Sequence, residues 1–221
     1  MAAFCLIHGA WHGGWCWQPL ASELTDRGHD ARTPTLPMDD VDAGLDDWVR
    51  SVGPQSDAVV VGHSFGGFVT PLVDARAYVY LCGFVPVPGE APGAVLREAL
   101  DESFGGTEKD ELGRTYWPST EAAERLYAGH ERQWAEWAFP RLRPQAQRVA
   151  AEPCPLVRLP ERPARVVLAR DDPAVRADWL RETARSVLGR DAVELDGGHF
   201  PMFDRAEELA NVLESVLEDV A

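Results

Sequence analysis

Apolar runs bounded by glycine and proline recur along this chain, and their lengths set the elements it predicts. Residues 3–7, AFCLI, are continuously apolar, which suits a short strand buried on both faces. A glycine-rich stretch, HGAWHGGWCW, follows as a loop, and residues 18–27 carry a helical pattern that stops near Gly28. Residues 29–33 read as a second strand closed by Pro34 and Pro37, and residues 45–52 as a turn or two of helix. Residues 58–61 predict a third strand, 65–74 a short helix and 77–85 a fourth strand. The texture then changes. Pro86, Pro88, Gly89, Pro92 and Gly93 open a stretch richer in charge and helix formers, with helical patterns at 121–127 and 131–139 and with Trp117, Trp134 and Trp137. Pro153, Pro155, Pro160 and Pro163 close it. Beyond it, residues 165–169 predict a strand, 178–188 a helix, 192–195 a strand and 205–220 a long terminal helix. Strands alternating with helices predict an α/β fold, a parallel sheet covered on both faces. The expected organisation is a core of residues 1–85 and 161–221, with residues 86–160 inserted as a helical cap.

Composition narrows the class. A chain of 221 residues is long enough to bury roughly 70% of its unfolded surface. Its 45% hydrophobic and 26% charged residues are those of an ordinary globular domain. The net charge of −15 argues against nucleic acid and against anionic membrane surfaces as partners. Lys109 is the one lysine and arginine supplies the other basic residues, a bias typical of high-GC bacterial coding. Cys5, Cys16, Cys82 and Cys154 are scattered with no C-x-x-C pair, as expected of buried thiols in a reducing compartment. The first apolar run is too short for a signal-peptide core, and no run approaches membrane-spanning length, so the expected location is cytoplasmic.

The chemistry concentrates around VVVGHSFGG. Gly62-His63-Ser64-Phe65-Gly66 fits G-x-S-x-G, in which a strand-to-helix turn exposes a serine hydroxyl above a sheet. The alternative is structural, a glycine-rich turn whose serine caps the next helix. The rest of the chain favours chemistry. Asp171 and Asp172 follow the predicted strand 165–169, and His199, in DGGHFPM, follows the last predicted strand. Sites on open parallel sheets form at the carboxyl ends of strands, and the chain order Ser, Asp, His is that of α/β-hydrolases. In this reading Ser64 is the nucleophile, His199 its general base, and a carboxylate holds the imidazole in the right tautomer. Asp172 is favoured for that role, with Asp171 still open. The Phe65 N–H, at the start of a helix, is one oxyanion donor, and a second is expected from HGAWHGG. The remaining histidines read differently. His8 shapes its loop, His63 fills the variable elbow position, His130 lies on the surface of a helical segment, and His12 is close enough to touch substrate. Trp134 and Trp137 are expected in the pocket wall.

FCLIHGAWHGGWCW together with GHSFGG resembles the plant methylesterase and hydroxynitrile lyase branch of the α/β-hydrolases and its bacterial esterase relatives. The segment AAERLYAGHERQWAEWAFPRLRPQ is similar to that branch's helical cap, so the resemblance covers nearly the whole chain. It implies a mostly parallel six-stranded sheet flanked by helices, Ser64, His199 and Asp172 as the triad, and the backbone N–H groups of Ala10 and Phe65 as the oxyanion hole. It implies no metal and no organic cofactor. Two departures stand out: the elbow-to-strand segment VTPLVDARAYVYLCGF is short, and residues 101–114 match poorly. The expected function is a serine hydrolase acting on a small carboxylic ester, a thioester or a natural-product intermediate through an acyl-enzyme. A cyanohydrin-type lyase using the same serine and histidine, and a non-catalytic binding protein on this scaffold, are the rivals. The lyases carry threonine and lysine where this chain has Gly9 and Phe200. Glycine is expected to leave room for an acyl group and water, and phenylalanine to offer no charge for an anion. The expected partner is a small ester-like molecule, with neither nucleic acid nor membrane, and a homodimer is left open.

Overall fold

The computed structural model describes residues 1–219. The apolar runs become a six-stranded sheet in the order β2-β1-β3-β4-β7-β8, with every pairing in it parallel. Its strands are β1 (Ala3–Ile7), β2 (Asp30–Arg32), β3 (Gln55–His63), β4 (Ala75–Leu81), β7 (Ala164–Ala169) and β8 (Val193–Leu195). Successive side chains point to opposite faces. Accordingly Phe4, Leu6, Val59 and Val61 join one core cluster, while Cys5, Ile7, Ala58 and Val60 join the other. Helices α1 (Gln18–Asp26) and α9 (Ala206–Glu218) cover the first face through Leu20, Leu24, Leu209 and Leu213. On the second face, α2 (Leu45–Val52) and α7 (Ala177–Leu188) bury Trp48, Leu180 and Ala184. Central strands apolar on both faces require such a double cover, which is why their runs do not alternate.

Between β4 and β7 the chain leaves the sheet. It forms α3 (Pro92–Ala99), a two-stranded ribbon of β5 (Glu108–Lys109) and β6 (Thr115–Tyr116), then α4 (Thr120–Ala123), α5 (Arg132–Ala138) and α6 (Arg148–Ala151). The Ser119 hydroxyl caps α4 by accepting the Ala122 N–H at 3.2 Å. This segment is pinned back onto the loop after β1, where the Arg143 N–H donates to Trp11 O at 2.8 Å. The ribbon, α3 and α6 are not among the elements expected from the sequence. After β8, the short helix α8 (Pro201–Asp204) precedes α9. Among the described residues no helix is long and apolar enough to cross a membrane.

Three expected elements differ. Residues 65–74 form two 3-10 turns, Ser64–Phe68 and Thr70–Leu72, instead of one helix. Pro71 has no N–H to continue a helical ladder, and the link from β3 to β4 is too short for a full helical layer. Strand β4 stops at Leu81, before the expected end at Val85, because Cys82 takes φ 43° and turns the chain away. The helix expected over 121–127 ends at Ala123 and continues as turns, whereas the terminal helix expected over 205–220 is found as α9, Ala206–Glu218, with Val220 outside the described residues.

Beneath the elbow the backbones touch. A Cβ on Gly67 would lie 2.2 Å from Phe84 O and 2.9 Å from Phe84 N, so only glycine fits without moving main chain. Gly67→Ala is expected to destabilise the fold by about 2 kcal/mol or more through overpacking. Gly105→Ala, where a Cβ meets nothing within 4 Å, should change stability by less than about 0.5 kcal/mol. Urea midpoints at unchanged slope measure both.

Candidate active site

Three loops at the carboxyl ends of β3, β7 and β8 bring the chemistry together. Strand β3 ends at His63 in extended conformation, and Ser64 then adopts φ 51°. A non-glycine residue there is strained, and such strain at a turn clusters at functional sites. Ser64 is 8% exposed, at the wall of a cavity of about 260 Å³. Ala10, Phe65 and His199 line the same cavity, as does His12.

The loop after β7 holds its two aspartates in different surroundings. Asp172 Oδ1 accepts the Ala174 N–H at 2.8 Å and the Val175 N–H at 2.9 Å, which fixes the carboxylate. Its Oδ2 accepts the His199 Nδ1–H at 2.7 Å, and both side chains are almost wholly buried. Asp171 is exposed and joins its neighbours through its backbone N–H, which donates to Gly197 O at 3.1 Å. With Nδ1 committed to Asp172, the imidazole keeps Nε2 for the cavity that His199 and Ser64 share.

Three other histidines crowd the site, and burial keeps each of them neutral. His8 is pushed down to about 4; its Nε2 accepts the Leu36 N–H at 2.9 Å and its Nδ1–H donates to Gly9 O at 2.9 Å. His12 is pushed down to about 3; its Nδ1–H donates to Ala10 O at 2.7 Å and its Nε2 accepts the Tyr127 hydroxyl at 2.8 Å. His63 lies well below the ordinary imidazole value, and its Nε2–H donates to His199 O at 2.8 Å. His8 therefore shapes its loop as expected. His12 does line the cavity, but both its nitrogens are occupied.

Several expected positions are corrected. Trp134 and Trp137 do not line the cavity, because α5 turns them toward the terminal segment. Trp134 stacks on Phe203 at 5.0 Å between ring centroids, and Trp137 meets Trp15 at 5.2 Å. The apolar wall is supplied by Phe84, Leu96, Leu100, Phe104 and Leu126. His130 is not a surface residue: its side chain is fully buried, with Nδ1–H donating to Asp204 Oδ2 at 2.8 Å and Nε2 accepting the Phe200 N–H at 3.0 Å. Sequence periodicity carried no sign of either partner. Gly9 leaves no room for substrate where its side chain would stand. A Cβ there would lie 2.8 Å from Ser64 Cβ and 3.0 Å from His63 Nδ1, so glycine is required by the approach of the first loop to the elbow. Phe200 is buried and lines the cavity, and the apolar character expected of that position holds.

Cys82 is a further neighbour that sequence reasoning passed over. Its thiol, fully buried, lies with an Asp172 carboxylate oxygen and a His199 ring nitrogen in a trio whose atoms are within 4.8 Å of one another. Burial, followed by the charge of Asp172, pushes the thiol up and keeps it protonated. A metal at this trio would have to break the Asp172–His199 hydrogen bond and displace that proton, so the donor set fits a hydrogen-bonded acid–base pair better than an ion.

Comparison with known proteins gives the family and the fold. The model of the alpha/beta hydrolase family matches residues 6–212. The carbendazim hydrolyzing esterase of Nocardioides sp. (strain SG-4G) is 38% identical over 119 residues, covering 45% of this chain and 49% of that protein. Methylesterase 18 of Arabidopsis thaliana is 32% identical over 113 residues, 44% of this chain and 43% of its own. The aligned chain thus spans about half the length of these relatives. Among solved structures, polyneuridine aldehyde esterase superposes with a TM-score of 0.78 at 18% identity, covering 98% of this chain and 99% of that one, a likeness of fold.

The buried neutral histidines make stability depend on pH. In the unfolded chain His8, His12 and His63 ionise near 6.5, whereas in the fold they resist protonation. The unfolded state therefore binds more protons below pH 6.5, so the stability present above that pH is lost as pH falls toward 4. With three such groups the slope approaches about 4 kcal/mol per pH unit near pH 5. Urea midpoints measured from pH 7.5 to 5 check this, and a flat profile would contradict it.

Proposed function

The chain belongs to the alpha/beta hydrolase family, and from that premise we propose that it is a serine esterase acting on a small carboxylic ester through Ser64, His199 and Asp172. The observation that carries the reading is the buried Asp172–His199 hydrogen bond of 2.7 Å, opening on the cavity where Ser64 stands at φ 51°. The esterase names of the relatives support it.

In this reading the ester carbonyl enters the cavity beside Ser64. His199 Nε2 takes the hydroxyl proton as Oγ attacks, and Asp172 stabilises the imidazolium that forms. The backbone N–H groups of Ala10 and Phe65 receive the developing oxyanion. Collapse of the tetrahedral intermediate expels the alcohol, which takes the proton from His199, and leaves an acyl-enzyme. Water then repeats the sequence, releasing the acid and restoring Ser64. These side chains supply a complete acid–base and nucleophilic set.

The cavity limits the substrate. At about 260 Å³ and with a mostly apolar wall, it suits a compact ester with an apolar body. Residues 86–160 act as the cap in this proposal, since Leu96, Leu100, Phe104 and Leu126 all come from that segment. Hydrolysis is favoured over cyanohydrin cleavage. Gly9 supplies no hydroxyl to hold a cyanohydrin oxygen, and Phe200 offers no cation for a departing anion.

Ser64→Ala should lower turnover of a short aryl ester by about 10⁴-fold or more with the fold retained, and a fluorophosphonate should label the wild-type chain at Ser64. Labelling elsewhere, or activity that survives the substitution, would reject the assignment. The two aspartates separate in a second assay. An asparagine at position 172 can keep the contacts to Ala174 and Val175 while turning its amide toward His199, forcing the imidazole proton onto Nε2. Asp172→Asn is therefore expected to cost on the order of 10³- to 10⁴-fold in kcat. Asp171→Asn should stay within a few-fold, and the reverse ranking would move the acid to Asp171.

A further inference from the structure

One turn of the segment above the sheet reaches both halves of the site. In residues 127–130, Tyr127 and His130 are buried, and their backbones close the turn through the His130 N–H to Tyr127 O bond of 3.1 Å. From the first of them a hydrogen-bonded chain runs down one side. The Tyr127 hydroxyl donates to His12 Nε2 at 2.8 Å, and His12 Nδ1–H donates to Ala10 O at 2.7 Å. Ala10 is the residue before Trp11, whose φ of 62° is strained for a bulky side chain. The His12 contact to Ala10 holds that kink, and with it the loop whose N–H faces the oxyanion.

From the second, a chain runs down the other side. His130 accepts the Phe200 N–H at 3.0 Å, one residue past His199, while Asp204 fixes its tautomer through Nδ1–H at 2.8 Å. The turn is pressed against the same loop. A Cβ on Gly198 would lie 2.2 Å from Ala128 O and 2.9 Å from His130 Nε2, so the loop before His199 is shaped to receive the turn. Phe200 packs between the two struts, 4.9 Å from the Tyr127 ring on one and 6.3 Å from the His130 ring on the other.

We propose that residues 127–130 are a positioning element for catalysis, setting the oxyanion loop through Tyr127–His12–Ala10 and the general base through His130–Phe200. Neither Tyr127 nor His130 has a part in the proton transfers; each acts through the residue it holds. The inference rests on the triad reading above and adds to it that the cap orients the catalytic groups as well as walling the cavity. The consequence is specific. A cap displaced from the core loses both the oxyanion geometry and the base geometry together, so the site is assembled only when the cap is seated.

The test uses the full chain, a fluorophosphonate and a short aryl ester. Tyr127→Phe and His130→Ala should each lower kcat and the phosphonate labelling rate on the order of 10- to 100-fold, with KM changed by less than about 3-fold, because the loss is one of alignment. Gln at position 130 can accept the Phe200 N–H and donate to Asp204, so His130→Gln should recover kcat to within about 5-fold of wild type. Asp204→Asn can present a donor to His130 Nδ1 and put a proton on the nitrogen that faces Phe200. It should fall as far as His130→Ala, and it stands in if that variant does not fold. The downfield proton resonance of the His199–Asp172 hydrogen bond should be lost in His130→Ala and retained in His130→Gln and Tyr127→Phe, which separates the two arms. Folded variants with wild-type kcat and labelling rate, at whatever melting temperature, would overturn the proposal and leave a packing role. A wild-type chain that is not labelled at Ser64 would instead overturn the triad reading itself.

Discussion

The structure turns on a strained residue at the centre of a parallel sheet. Ser64 holds φ 51° at the end of β3, a conformation that costs on the order of 1–3 kcal/mol for a non-glycine residue. It persists because neighbours on both sides leave no alternative. Strands β1 and β4 clamp β3 through the whole length of their registers, and Phe84 donates its N–H to Ser64 O at 3.1 Å from the loop beyond β4. The close approaches at Gly9 and Gly67 follow from the same constraint, since the loops after β1 and β4 must reach the elbow to hold it. Cys82, at φ 43°, shows that the neighbouring strand also ends in a strained turn beside the site.

Electrostatics then divides the labour among similar side chains. Four buried histidines cluster at the site, and His12, His63 and His199 line the cavity. His8, His12 and His63 find only neutral partners, two of them backbone carbonyls close in sequence, so burial wins and they remain uncharged struts. His199 alone faces a buried carboxylate whose remaining oxygen is anchored by two backbone N–H groups. That is the arrangement in which an imidazolium can form during a reaction and discharge again. The two neighbouring carboxylates are thus unlike: Asp172 is locked in place, and Asp171, exposed one residue earlier, is not.

The segment between β4 and β7 has a part in both selectivity and assembly in the reading developed above. Its apolar side chains close a small cavity, and its turn at residues 127–130 supports loops that belong to the sheet. Aromatic stacking keeps the two layers in register, with Phe200 and Phe203 parallel at 5.1 Å and Trp134 laid on Phe203. Of the two tryptophans expected in the pocket wall, Trp134 has this stacking role instead, and Trp137 meets Phe203 edge-on.

Much of this was legible in the chain before any coordinates. Continuous apolar runs predict strands buried on both faces, because a helix or a half-solvated strand would need a polar stripe that these runs lack. The G-x-S-x-G turn with an aspartate and a histidine after later strands predicts the triad order, because parallel strands deliver their carboxyl ends to one edge. Short-range constraints of this kind are written in local composition. What remained hidden was which of several similar residues each contact across the fold selects. Asp172 is distinguished from Asp171 by two amides that only the folded loop presents, and Gly9 by a serine more than fifty residues away. The same holds for Trp134 and Trp137, whose helical spacing is compatible with either face until Phe203 is placed beside them, and for His130, whose partners come from the far end of the chain. Periodicity reports which side of an element is buried; the partner it is buried against is decided by the closure of the tertiary structure.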